Sequence, residues 1–392
     1  MPNYVSQTGA VYSLPQQHLA RGGEGSVYNV IHHPDLVAKI YHPNHLTPAL
    51  QRKLETMVAN PPVDDTRRTL QHVSIAWPEQ LLYQNGRFVG YMMKKISQSD
   101  KLYMLIQPQQ RKQKYPNIDH RVLYRVARNY AAAMAALHHK NYIVGDVNPN
   151  NALFNNRSLV TIVDCDSMQV IDRTGQTHLC IVGMDEYTAQ ELQGKDLRRT
   201  KRTQDSDTFG LAVIIYQLLM QGFHPFQGVP LLGAPNTQMS HVYCIANGIF
   251  PHITNNQFAP PPAAPAFGAL PKELQDTFKR AFLSPNNRPS AKTWQQVLAT
   301  CEQRLQRCTK NDRHYHPSDG QCVICAVQSN TQKLQFKLHS SLWVNSVWMW
   351  IKPRKGSVLL WVIVLFILIG LCSPVMSVVA FMVDLWRTIF GT

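Results

Sequence analysis

The sequence has few charged residues. They make up 16% of its 392 residues, against about 25% in an average soluble protein. A hydrophobic share of 44% excludes an intrinsically disordered chain, and a mean hydropathy of −0.22 excludes a membrane protein with many spans. At about 150 residues per domain, the length accommodates two or three domains.

A recognisable secretory signal is also lacking, because the N-terminus contains no basic leader followed by an apolar stretch. By contrast, the 27 residues of 357–383 contain no charge, and about 20 helical residues suffice to cross a bilayer. We therefore expect one C-terminal transmembrane helix over 357–383. A buried core helix and a re-entrant hairpin at Ser373–Pro374 are the alternatives. Lys352, Arg354 and Lys355 precede this segment, which predicts a single-pass protein of the inner membrane with its N-terminal part in the cytoplasm.

Acidic residues are scarce: 24 of them against 39 Lys and Arg leave a formal net charge of +15. Basic residues cluster over 195–202. Such a run is usually a solvated face, and attraction to an anionic membrane surface is the second interpretation. No nucleic-acid-binding motif accompanies it, so nucleic acid is not an expected partner. In a cytosolic protein, the eight cysteines favour thiols or metal ligands over disulfides.

The order of predicted elements indicates an α+β chain without internal repeats. Strand-forming residues dominate 19–30 and 36–41, and Asn85–Gly86 is typical of a hairpin turn. Helical spacing of apolar residues takes over from residue 119. It predicts long helices over 119–138, 207–220, 272–283 and 290–307.

The first candidate site is glycine-rich. Gly22 and Gly25 allow backbone amides to approach phosphate oxygens without side-chain obstruction, although such a stretch by itself is more often an ordinary hairpin. The next predicted strand ends at Lys39. Glu55, 16 residues further on, is the acidic residue of a predicted helix over 47–59. A plain surface charge is the alternative for Glu55.

The second candidate site is built from carboxylates and an amide. Asp146 precedes Asn151 by five residues, and Asp164 follows Asn151 by 13. A short predicted hairpin separates Asn151 from Asp164 and folds the chain back. Turn-capping roles for these residues do not predict this spacing. Oxygen ligands of this kind suit Mg²⁺.

In this order the motifs resemble those of the eukaryotic-like (Hanks-type) bacterial protein kinases, over residues 10–305. The resemblance implies a bilobal fold, with a small β-rich N-lobe and a larger helical C-lobe. It also implies ATP binding, with Lys39 on the phosphates and paired to Glu55. The implied ATP-binding residues are Ala20, Gly22, Gly23, Gly25, Val27 and Lys39.

The same resemblance assigns the chemistry. Asp146 is the implied catalytic base, which accepts the proton of a substrate hydroxyl, while Asn151 and Asp164 are the implied ligands of Mg²⁺ or Mn²⁺. Glu191 ends a segment that resembles the family's activation segment. Two structural roles follow: Asp207 ties down the catalytic loop, and Arg288 pairs with Glu191.

The chain departs from the family in several places, which include Asn148 for the catalytic-loop lysine and Met184 for the threonine after the segment's glycine. Val144 and Gly145 replace the His-Arg pair before the base. This predicts no cation there and no dependence on a phosphorylated activation segment. Asp166 replaces the glycine of the D-F-G motif. We expect Asp166 either to add a carboxylate near the metals or to be a solvated or turn-capping residue.

The D-x-D pattern and the C-terminal cysteines resemble one bacterial group of these kinases. That resemblance implies a PP2C-type phosphatase and a von Willebrand factor A-domain protein as partners, besides protein substrates and the membrane. The domains predicted after the kinase domain are a zinc-ribbon-like Cys/His segment over 306–328, a juxtamembrane linker over 329–356 and the transmembrane helix over 357–383.

Four ligand-type residues lie within 306–328: Cys308, His314, Cys322 and Cys325. Three thiolates and one imidazole suit a closed tetrahedral site for structural Zn²⁺. His316 is an alternative to His314, and Cys301 is a spare ligand. Unligated thiols are the competing interpretation.

Two functions of different classes are consistent with the sequence. The first is a membrane-anchored protein Ser/Thr kinase that transfers the γ-phosphate of ATP to a protein hydroxyl. The second is a nucleotide-binding pseudokinase scaffold that recruits partners to the membrane. A kinase-fold enzyme that acts on small molecules or transfers AMP is a third possibility. A scaffold has no physical need for all five of the implied site residues, so their joint presence favours the first function: Lys39, Glu55, Asp146, Asn151 and Asp164.

Overall fold

The computed structural model describes residues 2–234, 240–253 and 257–350. The chain divides into two compact units, residues 1–331 and 332–392. The strands are β1 (Asn3–Ser6), β2 (Val11–Ser13), β3 (Ala20–Arg21), β4 (Gly25–Val30), β5 (His33–Tyr41), β6 (Gln80–Gln84), β7 (Arg87–Lys94), β8 (Ser99–Lys101), β9 (Ala152–Asn155), β10 (Val160–Ile162), β11 (Val170–Ile171), β12 (Thr177–His178), β13 (Val229–Pro230), β14 (Phe258–Ala259), β15 (Leu305–Arg307) and β16 (Tyr315–Pro317). The helices are α1 (Pro48–Ala59), α2 (Asp65–Leu70), α3 (Tyr103–Ile106), α4 (Pro108–Lys114), α5 (His120–His139), α6 (Gln204–Leu219), α7 (Ser240–Ala246), α8 (Lys272–Leu283), α9 (Ala291–Gln303) and α10 (Val323–Trp350).

The N-lobe is a seven-stranded sheet in the order β2-β1-β6-β7-β5-β4-β3. Side chains alternate between its two faces because the strand period is two residues. One face contributes to a small apolar cluster that includes Leu14, Val30, Ala38, Leu82 and Met92. On the other face, Lys39 and Tyr41 of β5 lie two residues apart, and Tyr91 of β7 pairs directly with Lys39. The register therefore brings two tyrosines beside the predicted phosphate-binding lysine.

Helix α1 packs against β6 of this sheet. Thr47 caps it by accepting a hydrogen bond from the Leu50 amide at 3.1 Å, and Pro48 occupies its first turn, as a helix N-terminus favours. Its buried positions include Lys53, Leu54 and Met57. A lysine is thus among the inward-facing residues of α1.

The C-lobe is built around α5 and α6. Helix α5 packs on α9, α6 and β10, and α6 is buried from Ser206 to Leu219. The side chain of Thr203 accepts from the Ser206 amide at 3.1 Å, and the Ser206 hydroxyl accepts from the Thr203 amide, which forms a capping box. The predicted bilobal architecture, with a small β-rich lobe and a larger helical lobe, is confirmed.

The Cys/His segment packs on the C-lobe. Its hairpin, β15–β16, is tied to α5 because the imidazole of His120 hydrogen bonds to the Tyr315 carbonyl at 3.0 Å. The Arg121 guanidinium lies 4.0 Å from the centre of the Tyr315 ring, and the Gln321 amide donates to the Ala269 carbonyl at 2.8 Å. These contacts make the segment part of the first compact unit.

The predicted transmembrane helix requires a correction. No helix within the described ranges is long and apolar enough to cross a membrane. The last one, α10, interrupts its apolar residues with polar ones such as Gln328, Asn330 and Lys333, whereas a span needs about 20 predominantly apolar residues. The predicted span over 357–383 lies outside the described residues. The predicted fold class is therefore wrong in its transmembrane helix, and the predicted single-pass location in the inner membrane is not supported.

Candidate active site

The glycine-rich loop joins β3 to β4. Ala20 pairs with Val27 across these strands, and the Gly22 amide donates to the Gly25 carbonyl at 2.9 Å. A Cβ on Gly25 would lie 2.5 Å from the Ile40 carbonyl oxygen, so this position excludes any side chain. Gly22 and Gly23 are exposed at the tip of the loop, where their backbone is open to a ligand.

Lys39 lies at the floor of this loop in a network of charges. Its Nζ is 2.6 Å from Asp166 Oδ2 and 3.1 Å from Asp164 Oδ1. Asp166 also accepts hydrogen bonds from the Tyr41 hydroxyl at 2.5 Å and the Tyr91 hydroxyl at 2.9 Å. Burial opposes protonation of Lys39, but the charges of Asp166 and Asp164 outweigh it and raise its pKa. Lys39 is therefore a cation held by two carboxylates of the segment 164–166.

Asp166 and Asp164 differ in their surroundings. Burial tends to raise the pKa of Asp166, but Lys39 and the two tyrosine hydroxyls outweigh burial and lower it. The pKa of Asp164 is raised, chiefly by burial and then by the nearby charge of Asp166. The Asp166 side chain is 1% exposed, and that of Asp164 is 44% exposed. Asp166 is thus the enclosed partner of Lys39, and Asp164 is the partner that is open to solvent.

The structure does not bring Glu55 to Lys39, which corrects the predicted pair. Glu55 lies on the exposed face of α1 and accepts a hydrogen bond from Gln51 at 2.9 Å. Each helical residue turns the chain by about 100°, so Glu55 lies about 200° around the axis from the buried Lys53. A 16-residue spacing places a residue on the correct helix, but it does not select the face.

Lys53 occupies the inward face instead. It is 7% exposed and makes no hydrogen bond or ion pair with the described part of the chain. Burial lowers its pKa, and the nearby charge of Asp166 is the largest opposing influence. Helix α1 therefore presents a cation toward the site where the resemblance implies an anion.

The catalytic loop brings Asp146 and Asn151 together. The side-chain amide nitrogen of Asn151 donates to Asp146 Oδ2 at 2.8 Å, so the side-chain carbonyl oxygen of Asn151 is available as a metal ligand. Asp146 Oδ1 is buried and has no hydrogen-bond partner among the residues that the structure describes. A buried carboxylate oxygen without a donor is costly. A substrate hydroxyl would supply the missing donor.

Asp207, near the start of α6, anchors the catalytic loop through hydrogen bonds. Its carboxylate accepts from the Val144 amide at 2.6 Å and the Gly145 amide at 2.8 Å, and it lies 3.0 Å from the imidazole Nε2 of His138. Gly145 has a φ of 72°, a conformation that glycine adopts without strain. These bonds form the tie that the sequence predicted for Asp207.

Asp164 and Asn151 present the oxygen atoms that a divalent metal needs. Asp164 has a φ of 59°, uncommon for a residue with a side chain. It lies on the polypeptide immediately before the enclosed Cys165 and Asp166. A carboxylate and an amide oxygen are hard ligands that suit Mg²⁺ or Mn²⁺. The residues present therefore fit the metal that ATP chemistry requires.

A guanidinium fills the space beside Gly145, contrary to the expectation of no cation there. Arg202 Nη1 lies 3.0 Å from the position of a Cβ on Gly145, and Arg202 Nη2 donates to the Val182 carbonyl at 2.5 Å. The buried Arg202 thus holds the segment directly through a backbone carbonyl. The expected independence of activation-segment phosphorylation stays a prediction, with which this backbone contact is consistent.

The end of the same segment is held by the predicted ion pair. Arg288 Nη1 and Nη2 each lie 2.8 Å from a carboxylate oxygen of Glu191. Arg288 also bonds to Asp205 and donates through Nε to the Ala281 carbonyl at 3.0 Å. The Arg288 side chain is fully buried. Planar bidentate pairing of this kind is a guanidinium property that lysine lacks.

The four predicted zinc ligands converge at one point, with all four ligand atoms within 4.8 Å of one another. Cys308 Sγ lies 3.7 Å from Cys325 Sγ. His314 Nδ1 lies 3.4 Å from Cys325 Sγ and 3.7 Å from Cys322 Sγ. Tetrahedral zinc with Zn–S of about 2.3 Å and Zn–N of about 2.0–2.1 Å separates its ligand atoms by about 3.6–3.8 Å. These three distances are therefore close to those of a tetrahedral zinc site.

The two alternative ligands do not join this group. His316 Nδ1 hydrogen bonds to the Pro317 carbonyl at 2.8 Å, and Cys301 is buried within α9. The amide of Lys310 points at Cys308 Sγ at 3.4 Å. Burial opposes ionisation of Cys308, but this amide and that of Asn311 outweigh it and lower its pKa. A thiolate is the form that binds metal.

Five site residues were missed or misread in the sequence: Tyr41, Lys53, Tyr91, Asp166 and Arg202. Tyr41 had a usable signal, because a position two residues after Lys39 in a strand shares its face. Lys53 also had a usable signal, because it directly precedes Leu54 and lies four residues before Met57. This spacing places all three residues on the buried side of α1. Tyr91 and Arg202 had none, because their positions depend on strand register and loop folding.

Known proteins provide an independent comparison. Residues 16–314 match the family described as protein kinase domain. The chain is 35% identical over 339 residues to protein kinase YegI of Escherichia coli O157:H7, and 34% identical over 339 residues to protein kinase YegI of Escherichia coli K12. These matches cover 84% and 83% of this chain but 51% and 50% of the relatives, so the chain spans about half the length of the curated relatives it matches.

A weaker match is a probable serine/threonine-protein kinase of Dictyostelium discoideum, 27% identical over 139 residues, which are 36% of this chain and 10% of that protein. The family match covers the glycine-rich loop, the catalytic loop and the tied activation segment. A kinase domain implies ATP and a divalent metal, for which the site has suitable residues. The chain belongs to the protein kinase family.

Proposed function

We propose that the protein is an ATP-dependent protein kinase that transfers the γ-phosphate to a serine or threonine hydroxyl. The observation that carries this proposal is the orphaned Oδ1 of Asp146, buried beside Asn151 and lacking a donor within the described residues. A scaffold that only holds nucleotide has no use for an unsatisfied carboxylate at this point, because leaving it unpaired costs about 1–3 kcal/mol.

Each group has a defined task in this proposal. Asp146 orients the acceptor hydroxyl and takes its proton, Lys39 binds phosphate oxygens, and the amides of Gly22 and Gly23 cover the phosphates. Asn151 and Asp164 would hold the metal, which neutralises charge on the triphosphate when bound. Arg202 and Arg288 hold the segment beside the substrate in place.

The test uses the whole chain with ATP labelled at either the γ- or the α-phosphate, with Mg²⁺ or Mn²⁺, and with general protein substrates. We expect γ-label in phosphoserine or phosphothreonine, in the chain itself or in a substrate, and no transfer in the presence of EDTA. Incorporated α-label would instead indicate nucleotidyl transfer. ATP binding without transfer under either metal would favour the scaffold function.

We also propose that Cys308, His314, Cys322 and Cys325 bind one structural Zn²⁺. The ligand distances support this, and the surrounding hairpin is too small to have a core of its own. The site would hold β15–β16 and the start of α10 together, and would take no part in catalysis because four protein ligands leave no open position.

Metal analysis tests the zinc proposal. We expect one zinc per chain, and its loss in a Cys322→Ser/Cys325→Ser variant together with a lower unfolding temperature, because metal binding stabilises the folded segment. Cys301→Ala and His316→Asn are the matched controls and keep the metal. A double variant that still holds one zinc would contradict the assignment.

Partners beyond protein substrates rest on the subgroup resemblance alone. The Asp164–Cys165–Asp166 pattern and the Cys/His cluster are the features behind the proposal of a PP2C-type phosphatase and a von Willebrand factor A-domain protein. Copurification of either one with the tagged chain is the corresponding test.

A further inference from the structure

The charges around Lys39 are arranged differently from the pair that the family resemblance implies. The inward face of α1 carries Lys53 rather than a glutamate, and Glu55 lies on the opposite, exposed face. Two buried lysines thus approach one site from the sheet and from the helix. Two like charges in a poorly solvated site repel each other strongly, and a nearby carboxylate offsets this repulsion.

Asp166 supplies that carboxylate. Its Oδ2 is 2.6 Å from Lys39 Nζ and 2.5 Å from the Tyr41 hydroxyl, and its Oδ1 is 2.9 Å from the Tyr91 hydroxyl. Lys39 pairs with Tyr91 across the strands, and Tyr41 lies two residues along β5. The same face of the sheet therefore directs three donors at one carboxylate and fixes both partners of the ion pair.

Other carboxylates are less suited to this task. Glu24 lies 4.0 Å from Lys39 Nζ, with a side chain that is 47% exposed at the glycine-rich loop. Asp164 is 3.1 Å away, but its side chain is 44% exposed and it is the candidate metal ligand. A bound metal would draw on the same oxygens, whereas both oxygens of Asp166 are already engaged within the protein.

We propose that Asp166, at the position of the D-F-G glycine, replaces the helix glutamate as the residue that positions Lys39 for the nucleotide phosphates. This inference rests on the proposed kinase function. Asp166 is a positioning residue, since it acts through Lys39. The Asp166 side chain is 1% exposed, so it is not a solvated residue, and both of its oxygens already accept hydrogen bonds within the protein.

The segment 164–166 carries both the partner of Lys39 and the candidate metal ligand. Asp166 lies on the same short segment as Asp164, so Lys39 and the metal ligand are positioned together. Helix α1 contributes no anion to Lys39 in the described structure. The ion pairs of Lys39 therefore do not involve α1.

The test removes the carboxylate at position 166 and introduces one on α1. Asp166→Asn keeps the shape and an acceptor oxygen, and we expect it to lower kcat/KM for ATP about 10- to 100-fold, since hydrogen bonds to charged groups contribute about 1.5–3 kcal/mol. Lys53→Glu alone places a second carboxylate beside Asp166 and lowers the rate as well. We expect the double variant Asp166→Asn/Lys53→Glu to be more active than either single variant.

Two further readouts separate positioning from other roles. We expect the Mg²⁺ concentration for half-maximal rate to stay unchanged in Asp166→Asn, because Asp166 does not hold the metal in this proposal. We expect Glu55→Gln to keep the wild-type kcat/KM for ATP. A double variant that is no better than Asp166→Asn, or a large change in the Mg²⁺ requirement, would overturn the proposal.

Urea unfolding without nucleotide gives a readout that does not depend on activity. Lys53→Glu is expected to lower the unfolding midpoint in the wild-type background and to raise it in the Asp166→Asn background. That rise disappears when Lys39→Met is added, because the new carboxylate then has no partner. Purely additive midpoints overturn the positioning role. If the wild-type chain transfers no phosphate, the proposed function fails, and this comparison alone decides the inference.

Discussion

Replacing Asp146 with asparagine is expected to lower kcat for phosphoryl transfer by about 10²–10⁴-fold, the usual contribution of a positioned general base. The change is nearly isosteric. The substituted side chain can still accept a hydrogen bond from the Asn151 amide, which now lies 2.8 Å from Asp146 Oδ2. At the orphaned Oδ1 position the variant presents an NH₂ group, which donates a hydrogen bond and cannot accept the proton of a hydroxyl.

Steady-state kinetics with saturating protein substrate measure this effect. ATP binding, followed by the ligand-induced rise in unfolding temperature, is expected to stay close to wild type, because Asp146 contacts the acceptor rather than the nucleotide. The exposed Asp196 provides the matched Asp→Asn control. If Asp146→Asn kept more than about a tenth of the wild-type kcat, Asp146 would not be the base.

Replacing Arg288 with methionine is expected to destabilise the fold by about 3–5 kcal/mol, the typical cost of removing one partner of a buried ionic network. The fully buried guanidinium is the shared partner of Glu191 and Asp205. It also donates to the Ala281 carbonyl at 3.0 Å and lies 5.4 Å from the centre of the Phe209 ring. Methionine fills the volume but leaves two carboxylates without their cation.

Denaturant unfolding measures this loss, with Arg280→Met on the exposed side of α8 as control. We expect the control to change stability by less than about 0.5 kcal/mol, as surface substitutions usually do. A similar loss in both variants would mean that side-chain volume matters and the ion network does not. The segment that Glu191 ends would also become more accessible to proteases in Arg288→Met.

The same pair predicts a pH dependence. Burial raises the pKa of Glu191, but the hydrogen bonds and charge of Arg288 outweigh burial and lower it from the ordinary value of 4.5. A carboxyl with a lowered pKa binds protons more readily in the unfolded chain. Its stabilising contribution is therefore fully present above pH 4.5 and is lost as the pH falls through the pKa in the folded state. Arg288→Met should remove this part of the acid sensitivity.

Local patterns predicted much of the fold because short-range rules govern them. The helix predicted over 47–59 corresponds to α1, and the strand-forming runs at 36–41 and around Asn85–Gly86 correspond to β5 and the β6–β7 hairpin. Cys322 directly precedes α10 and Cys325 lies in its first turn, so local geometry brings their sulfurs to one point. Such features depend on only a few consecutive residues, so a local pattern is enough to predict them.

Features that depend on register or on helix face were beyond these rules. Glu55 was assigned to Lys39 by distance along the chain, yet the packing of Leu54 and Met57 against the core turns Glu55 outward. His314 was not distinguishable from His316 until the β15–β16 hairpin directed His316 to a backbone carbonyl. A shift of one or two residues in either element would place a different residue at Lys39 or at the Cys/His cluster.

The sequence by itself indicated the family and the order of the two lobes, and it predicted Asp146, Asn151, Asp164 and Lys39 as site residues, because chemical type and spacing are properties of the chain. Only the tertiary structure decided which carboxylate serves Lys39. Asp166 is 127 residues away from it along the chain, and their meeting depends on the register of β5 with β7 and on the fold of the segment after β10. Long-range packing determines which charges are buried together, and no local pattern encodes that choice.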